Sequence, residues 1–166
     1  MDEPDLAPER HHAALHGLQR VNFLSASAGI LWPPIRSLAA RTKLPLRLLD
    51  IGSGGGDVLV GLWRRATRAG ISLTCEGADI SETALDHGRD LARRAGAAIV
   101  FRRLDALAEP LPPGFDVVCS SLFLHHLAEA DAVGLLRKMK AAAGRLVLIN
   151  DLTRSRLGYM AAWCGT

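Results

Sequence analysis

The chain has 166 residues, 49% of them apolar and 22% charged, with a formal net charge of +3. That length suits one domain with a sizeable core, and the composition is that of a soluble globular protein. The positive charge is mild and spread through pairs (Arg64-Arg65, Arg93-Arg94, Arg102-Arg103), with no basic run interleaved with aromatics, so nucleic acid is not expected as a partner.

The N-terminus, Met1-Asp2-Glu3-Pro4-Asp5, is acidic and lacks the basic-then-apolar order of a signal peptide. No apolar run approaches the roughly 18 to 20 residues that cross a bilayer, so stable membrane insertion is not expected. The 3 cysteines, Cys75, Cys119 and Cys164, form no Cys-x-x-Cys pair. Zinc and redox motifs are therefore disfavoured, and a reducing cytoplasm is the expected compartment. His11-His12 has only His16 nearby, and no metal site is expected.

Residues 1–44 read as a helical arm. Leu6 to Leu18 is polar and alanine-rich, and Val21 to Ala40 carries Phe23, Leu24, Ile30 and Leu31 at helical spacing. Pro33-Pro34 is expected to break that second helix. From residue 45 the texture changes to short apolar runs separated by helical segments. Strand 1 is Leu46 to Ile51, followed by a helix from Val58 to Ala69 stopped at Gly70. Strand 2 is Ile71 to Ala78, and Ser81 caps a helix reaching about Ala95, with Gly96 beyond its end. Strand 3 is Ala97 to Arg103. A proline-rich loop, Pro110 to Gly114, leads to strand 4, Phe115 to Ser120. A helix from Glu129 to Ala143 ends at Gly144, and strand 5 runs from Arg145 to Asn150. Buried-looking strands alternating with helices predict an α/β fold, a parallel sheet with helices on both faces.

In such a sheet, ligands bind beyond the carboxyl ends of the strands. Strand 1 ends in Asp50-Ile51-Gly52-Ser53-Gly54-Gly55-Gly56-Asp57, strand 2 in Asp79-Ile80-Ser81, strand 3 in Leu104-Asp105-Ala106, and strand 4 in Ser120-Ser121. Glycines let backbone approach a ligand, and the next helix offers N–H groups to an anion. An acid after strand 2 suits a pair of ribose hydroxyls. Alone, the turn is only a tight turn, and Asp79 or Asp105 only a cap or a solvated loop residue. Their conjunction at three strand ends points to a nucleoside-type cofactor. A dinucleotide fingerprint, G-x-G-x-x-G from Gly52 and Gly54, would place its third glycine at position 57, where Asp57 stands and would repel a pyrophosphate. Asp57 instead suits a helix N-terminus. A P-loop is excluded because no Gly-Lys-Ser/Thr follows the glycines.

The run Leu48-Leu49-Asp50-Ile51-Gly52-Ser53-Gly54-Gly55-Gly56 resembles motif I of the class I S-adenosylmethionine-dependent methyltransferases. Gly77-Ala78-Asp79-Ile80-Ser81 is similar to the family's acidic motif after strand 2, and Leu104-Asp105-Ala106 to its adenine motif. Phe115 to Leu127 resembles its strand 4 motif, especially in the small-molecule, ubiquinone/menaquinone-like branch. The likeness spans Leu46 to Asn150 and implies a Rossmann-like sheet of strand order 3-2-1-4-5. It also implies S-adenosyl-L-methionine as cofactor and S-adenosyl-L-homocysteine as product. Asp50 would orient the turn and the methionine amino group, and the backbone at Gly52, Ser53 and Gly54 would approach the methionine carboxylate and sugar. Asp79 would hold the ribose, Ile80 and Ala106 would flank the adenine, Asp105 would accept from its amino group, and Ser120 would lie by the methionyl end.

Methyl transfer from a sulfonium is an in-line displacement, for which the protein supplies mainly positioning. A base is needed only where the acceptor loses a proton. His125 and His126, just past strand 4, are the candidates, against a purely packing role. Asn150-Asp151 either positions the acceptor or caps a turn. Phe23, Leu24, Leu31 and Trp32 of the arm are expected to cover the cofactor. The expected partner is a small, apolar or aromatic acceptor, and self-association is compatible with the sequence. The family's usual antiparallel strand pair after strand 5 finds no match in Leu152 to Thr166, where Tyr159 to Trp163 reads as the start of a helix. That leaves a rival expectation, a non-catalytic S-adenosylmethionine- or nucleoside-binding module or a truncated fragment. An NAD-dependent oxidoreductase is disfavoured by Asp57.

Overall fold

A computed structural model describes residues 27–151. The first described element is helix α1, Ser27–Thr42. There follow β1 (Leu46–Ile51), α2 (Asp57–Arg68), β2 (Leu73–Asp79), α3 (Glu82–Ala95), β3 (Ile99–Arg103), β4 (Phe115–Ser121), a 3₁₀ turn (Leu124–His126), α4 (Glu129–Ala142) and β5 (Ala143–Asn150). The five strands form one sheet in the order β3-β2-β1-β4-β5, and every neighbouring pair is parallel. The expected order and direction are thus both found.

Strand alternation divides the core into two layers. Leu46, Leu48, Cys75, Val117 and Cys119 pack with Leu31 and Ile35 of α1, Leu59 and Leu62 of α2, and Leu85 of α3. Leu49, Ile51, Ala78 and Val118 pack with Leu135 and Met139 of α4. Helices therefore cover both faces, three on one and α4 on the other. Local signals set the ends of these helices. Asp57 places a carboxylate in the first turn of α2. The Ser81 hydroxyl accepts the Ala84 N–H at 3.3 Å and starts α3, which Gly96 ends in the left-handed region.

Two expectations are corrected. Pro33 and Pro34 do not break α1, which runs through both. They remove the N–H groups that the carbonyls of Gly29 and Ile30 would meet one turn on. Against that, Leu31, Ile35, Leu38 and Ala39 are buried along one stripe, each large side chain contributing about 1.5–3 kcal/mol. The second correction is at Gly144, which does not end a helix. Helix α4 stops at Ala142, and β5 starts at once with a shift in register, Phe115 facing Ala143 but Val117 facing Leu146. Gly144 sits in that bulge, where a Cβ would lie 3.3 Å from the Phe115 carbonyl oxygen.

The helix expected over Leu6 to Leu18, the covering role of Phe23 and Leu24, and the helix at Tyr159 to Trp163 lie outside the described residues.

Candidate cofactor and acceptor site

The turn after β1 folds back onto β2. The N–H groups of Gly52 and Ser53 donate to the Ala78 carbonyl at 2.9 and 3.1 Å. The Gly54 N–H donates to Asp79 Oδ2 at 2.8 Å, and the Ser81 N–H to Asp79 Oδ1 at 2.9 Å. Asp79 thus holds both the glycine turn and the start of α3, and each of its oxygens keeps acceptor capacity. Gly52 has φ +67°, and a Cβ there would lie 2.6 Å from the Phe123 ring; Gly54 has φ +50° and faces open space. A side chain at either position would be strained, and at Gly52 it would also displace Phe123. The three N–H groups are spent within the protein, so this turn offers a ligand its Cα surface rather than those donors.

Asp50 lies below the turn, 2% exposed. Its Oδ1 accepts from the Cys119 thiol at 3.4 Å. Burial pushes its pKa up to about 7, a rise opposed by the thiol bond and aided by nearby Asp79. The same burial, with the Asp50 charge, raises Cys75 to about 12 and Cys119 well above the usual thiol value. Among the described residues both thiols are free and buried, inert packing groups. The Ser53 hydroxyl is buried with no hydrogen-bond partner among the described residues. Ser120, expected beside the methionyl end, is fully buried and donates to the Ile51 carbonyl at 2.9 Å. Its hydroxyl ties β4 to β1 and does not line the pocket.

A pocket of about 350 Å³ opens at the carboxyl ends of β1, β2 and β3. Gly52, Asp79, Ile80, Asp105, Ala106 and His126 line it, together with Leu104, Phe123 and Asp131. Five of the nine residues expected to bind cofactor therefore meet in one cavity. Asp105 begins a tight turn. Its Oδ1 accepts the Leu107 and Ala108 N–H groups at 2.9 and 3.1 Å, and its own N–H donates to Glu109 Oε1 at 2.9 Å. Ile80 is 56% exposed, an apolar surface at the pocket edge. Leu31 is 2% exposed and Trp32 packs beside it in the α1–α3 layer, so neither covers the pocket. Their burial follows from the stripe that carries α1 across its prolines.

The histidines sit past β4. Leu122 adopts φ +55° and donates its N–H to the Asn150 carbonyl at 2.8 Å. That bend puts Phe123 against Gly52 and starts the 3₁₀ turn. Asp151 closes the turn from the end of β5. Its Oδ2 accepts the Leu124 and His125 N–H groups at 2.7 and 3.3 Å, and its Oδ1 lies 2.6 Å from His125 Nδ1. The rings of His125 and His126 are 3.9 Å apart, and His126 reaches the pocket. Asn150 donates instead to the hydroxyls of Ser27 and Ser121, at 2.9 and 3.0 Å. The sequence offers Asn150-Asp151 as acceptor-positioning or turn-capping residues but not the Asp151–His125 pair, which depends on how β5 ends against the turn. Nor does it single out Phe123, whose signal is only its place in the strand 4 motif. Among the described residues no group of three or more His, Cys, Asp or Glu side chains could hold a metal ion, and no helix is long and apolar enough to cross a membrane.

A glycine turn, a ribose-height acid and an apolar slot at adjacent parallel strand ends define an α/β domain built for a nucleoside cofactor. The family model described as a methyltransferase domain matches residues 48–143. The chain belongs to that methyltransferase family, whose cofactor is S-adenosylmethionine. It is 34% identical over 129 residues to the demethylmenaquinone methyltransferase of Thermus thermophilus, covering 76% of this chain and 57% of that one. It is 28% identical over 162 residues to the ubiquinone biosynthesis O-methyltransferase of Methylococcus capsulatus, covering 95% and 60%. The chain thus spans less than two thirds of both relatives. Among solved structures, the S-adenosylmethionine-dependent methyltransferase SibL superposes with a TM-score of 0.70 at 25% identity, covering 89% of this chain and 42% of SibL. The magnesium protoporphyrin IX methyltransferase of Synechocystis PCC 6803, solved with bound S-adenosylhomocysteine, shares the fold at 20% identity, with a TM-score of 0.67 over 88% of this chain and 64% of that one.

Proposed function

We propose that this domain binds S-adenosylmethionine in the pocket at the ends of β1–β3 and transfers its methyl group in line to a small, apolar or aromatic acceptor. One observation carries the reading: Gly52, Asp79 and Asp105, from three separate strand ends, line a single cavity. The residues present fit the cofactor. Asp79 accepts hydrogen bonds from the ribose hydroxyls while keeping its two backbone bonds. Ile80, Leu104 and Ala106 form an apolar slot for adenine, and Asp105 accepts from the ring amino group. The open space beside Gly54 takes the methionine portion over the Cα surface of the turn. Asp50 works from below, as a buried carboxylate favouring the methionine ammonium through the turn. Asp57 and the first turn of α2 complement the methionine carboxylate only through backbone N–H groups. The bound cofactor supplies an electrophilic methyl group, so the protein contributes orientation and electrostatics.

On the acceptor side, Asp151 orients the His125 ring through Nδ1, and in this reading that ring takes the proton of a hydroxyl about to be methylated. His126 and Phe123 form the wall between that ring and the cofactor pocket. The names of the two relatives favour a quinone-type ring as the acceptor class. A small molecule rather than a nucleic acid is the partner in this reading. The free, buried thiols favour a reducing cytoplasm.

The test is transfer of a tritiated methyl group from S-adenosylmethionine to hydroxylated quinone precursors. Label in the acceptor is expected, with the rate falling when His125 is changed to Gln and less so when His126 is. Cofactor binding with no transfer to any such ring would leave a binding module in place of the enzyme.

A further inference from the structure

Beyond buried Ala106, the turn that carries Asp105 is short of apolar anchors. Leu107 is 40% exposed, and Ala108 and Glu109 are exposed too. Polar contacts hold it. At its leading end the Asp105 carboxylate takes two N–H groups, and Glu109 closes the loop with the Asp105 N–H and, through its own N–H, the Asp105 carbonyl at 2.8 Å. Its trailing end presents three carbonyls, and one side chain from another element meets all of them. Lys138 Nζ donates to the carbonyls of Ala106, Leu107 and Glu109 at 3.1, 2.6 and 3.0 Å. An ammonium has three protons, and here three acceptors from one turn use them. A cation at converging carbonyls is also the favourable charge for the negative end of a turn.

Lys138 lies two helical turns beyond Asp131 on the same side of α4, and Asp131 lines the pocket. The helix that follows the histidine turn therefore grips the far wall of the cofactor pocket. We infer that Lys138 is a positioning residue for nucleobase recognition: it fixes the Asp105 turn so that this carboxylate meets an adenine amino group. The inference rests on the reading of the pocket as the S-adenosylmethionine site. Without Lys138, the three carbonyls turn to water, the turn loosens, and the carboxylate loses its fixed place. Recognition of the amino group should suffer, while ribose and methionine contacts, held by Asp79 and the glycine turn, should persist.

S-inosylhomocysteine, which carries an exocyclic oxygen where S-adenosylhomocysteine carries the amino group, reads that difference. The full chain is titrated with both ligands by calorimetry, as wild type, K138M and K138R. Wild type is expected to prefer the adenosyl compound. In K138M its affinity should fall about tenfold, with the inosyl affinity nearly unchanged, so that the preference shrinks; K138R, with several donors, should restore it. Should K138M fail to fold, K138Q, which keeps two donors, takes its place with the same expected direction. An unchanged preference in K138M or K138Q, or an equal loss for both ligands, would overturn the inference. Wild type that binds neither compound would overturn the reading of the pocket, and this inference with it.

Discussion

At the scale of single residues, Asp79, Asp50 and Gly52 do separable work. Asp79 holds two backbone N–H groups and faces the pocket. Asp79→Ala should weaken S-adenosylhomocysteine binding by about 1.5–3 kcal/mol, the scale for losing a charged hydrogen-bond partner. Asp79→Asn should lose less, because its carbonyl oxygen still serves one N–H. Unchanged affinity in a calorimetric titration would remove Asp79 from the site. Asp50 is a different kind of acid. Its pKa is raised to about 7 by burial, so below that pH the folded state holds a proton that the unfolded chain releases in the ordinary carboxylate range. Stability from this group is therefore full at low pH and is lost as pH rises through about 7. Asp50→Asn should flatten that fall, measured as urea midpoints at pH 5 and pH 8. A wild-type slope retained by the variant would contradict the assignment. At Gly52, an added methyl group meets the Phe123 ring at 2.6 Å in a left-handed backbone. Gly52→Ala should cost about 1–3 kcal/mol in stability. Phe123→Leu should recover only part of it, because the backbone strain stays. Asp79 and Asp105 were legible because acids at strand ends carry a chemical reason to be there. Ser120 carries no such signal, because a polar residue at a strand end is as well used inside the sheet, here on the Ile51 carbonyl.

At the scale of elements, the strands were the easiest to read. Leu46–Ile51 forms as expected, and β2 and β3 begin two residues later than their apolar runs suggest. Those runs begin in loop residues that are themselves partly buried, such as Ile71 and Ala97. The failures came where tertiary packing overrode a local rule. Helix α1 survives two prolines because its buried stripe is continuous across them. Pro33→Ala should then stabilise the domain, by up to about 3 kcal/mol less the entropy regained by the unfolded chain. Thermal unfolding of that variant should shift upward; a downward shift would mean that the prolines are structurally required. Gly144 looked like a helix stop, yet a bulge in a parallel pair uses a glycine for the same close approach. The Asp151–His125 pair was not legible, since the two lie 26 positions apart and meet only through the β4–β5 pairing.

At the scale of the whole molecule, the sheet order brings β1, β2 and β3 together with their carboxyl ends on one rim, and β4 and β5 supply the histidine turn beside it. In the proposed function, one side of the rim takes the nucleoside and the other the acceptor, with Phe123 against the glycine turn. Helix α4 spans both sides, from Asp131 at the pocket to Lys138 under the Asp105 turn. Calorimetric titration with S-adenosylhomocysteine, in the presence and absence of excess NADH, tests whether this rim is an S-adenosylmethionine site. Saturable binding at one site per chain is expected, unchanged by NADH and weakened by Asp79→Ala. No heat of binding from folded wild-type protein, or displacement of the ligand by NADH, would contradict it.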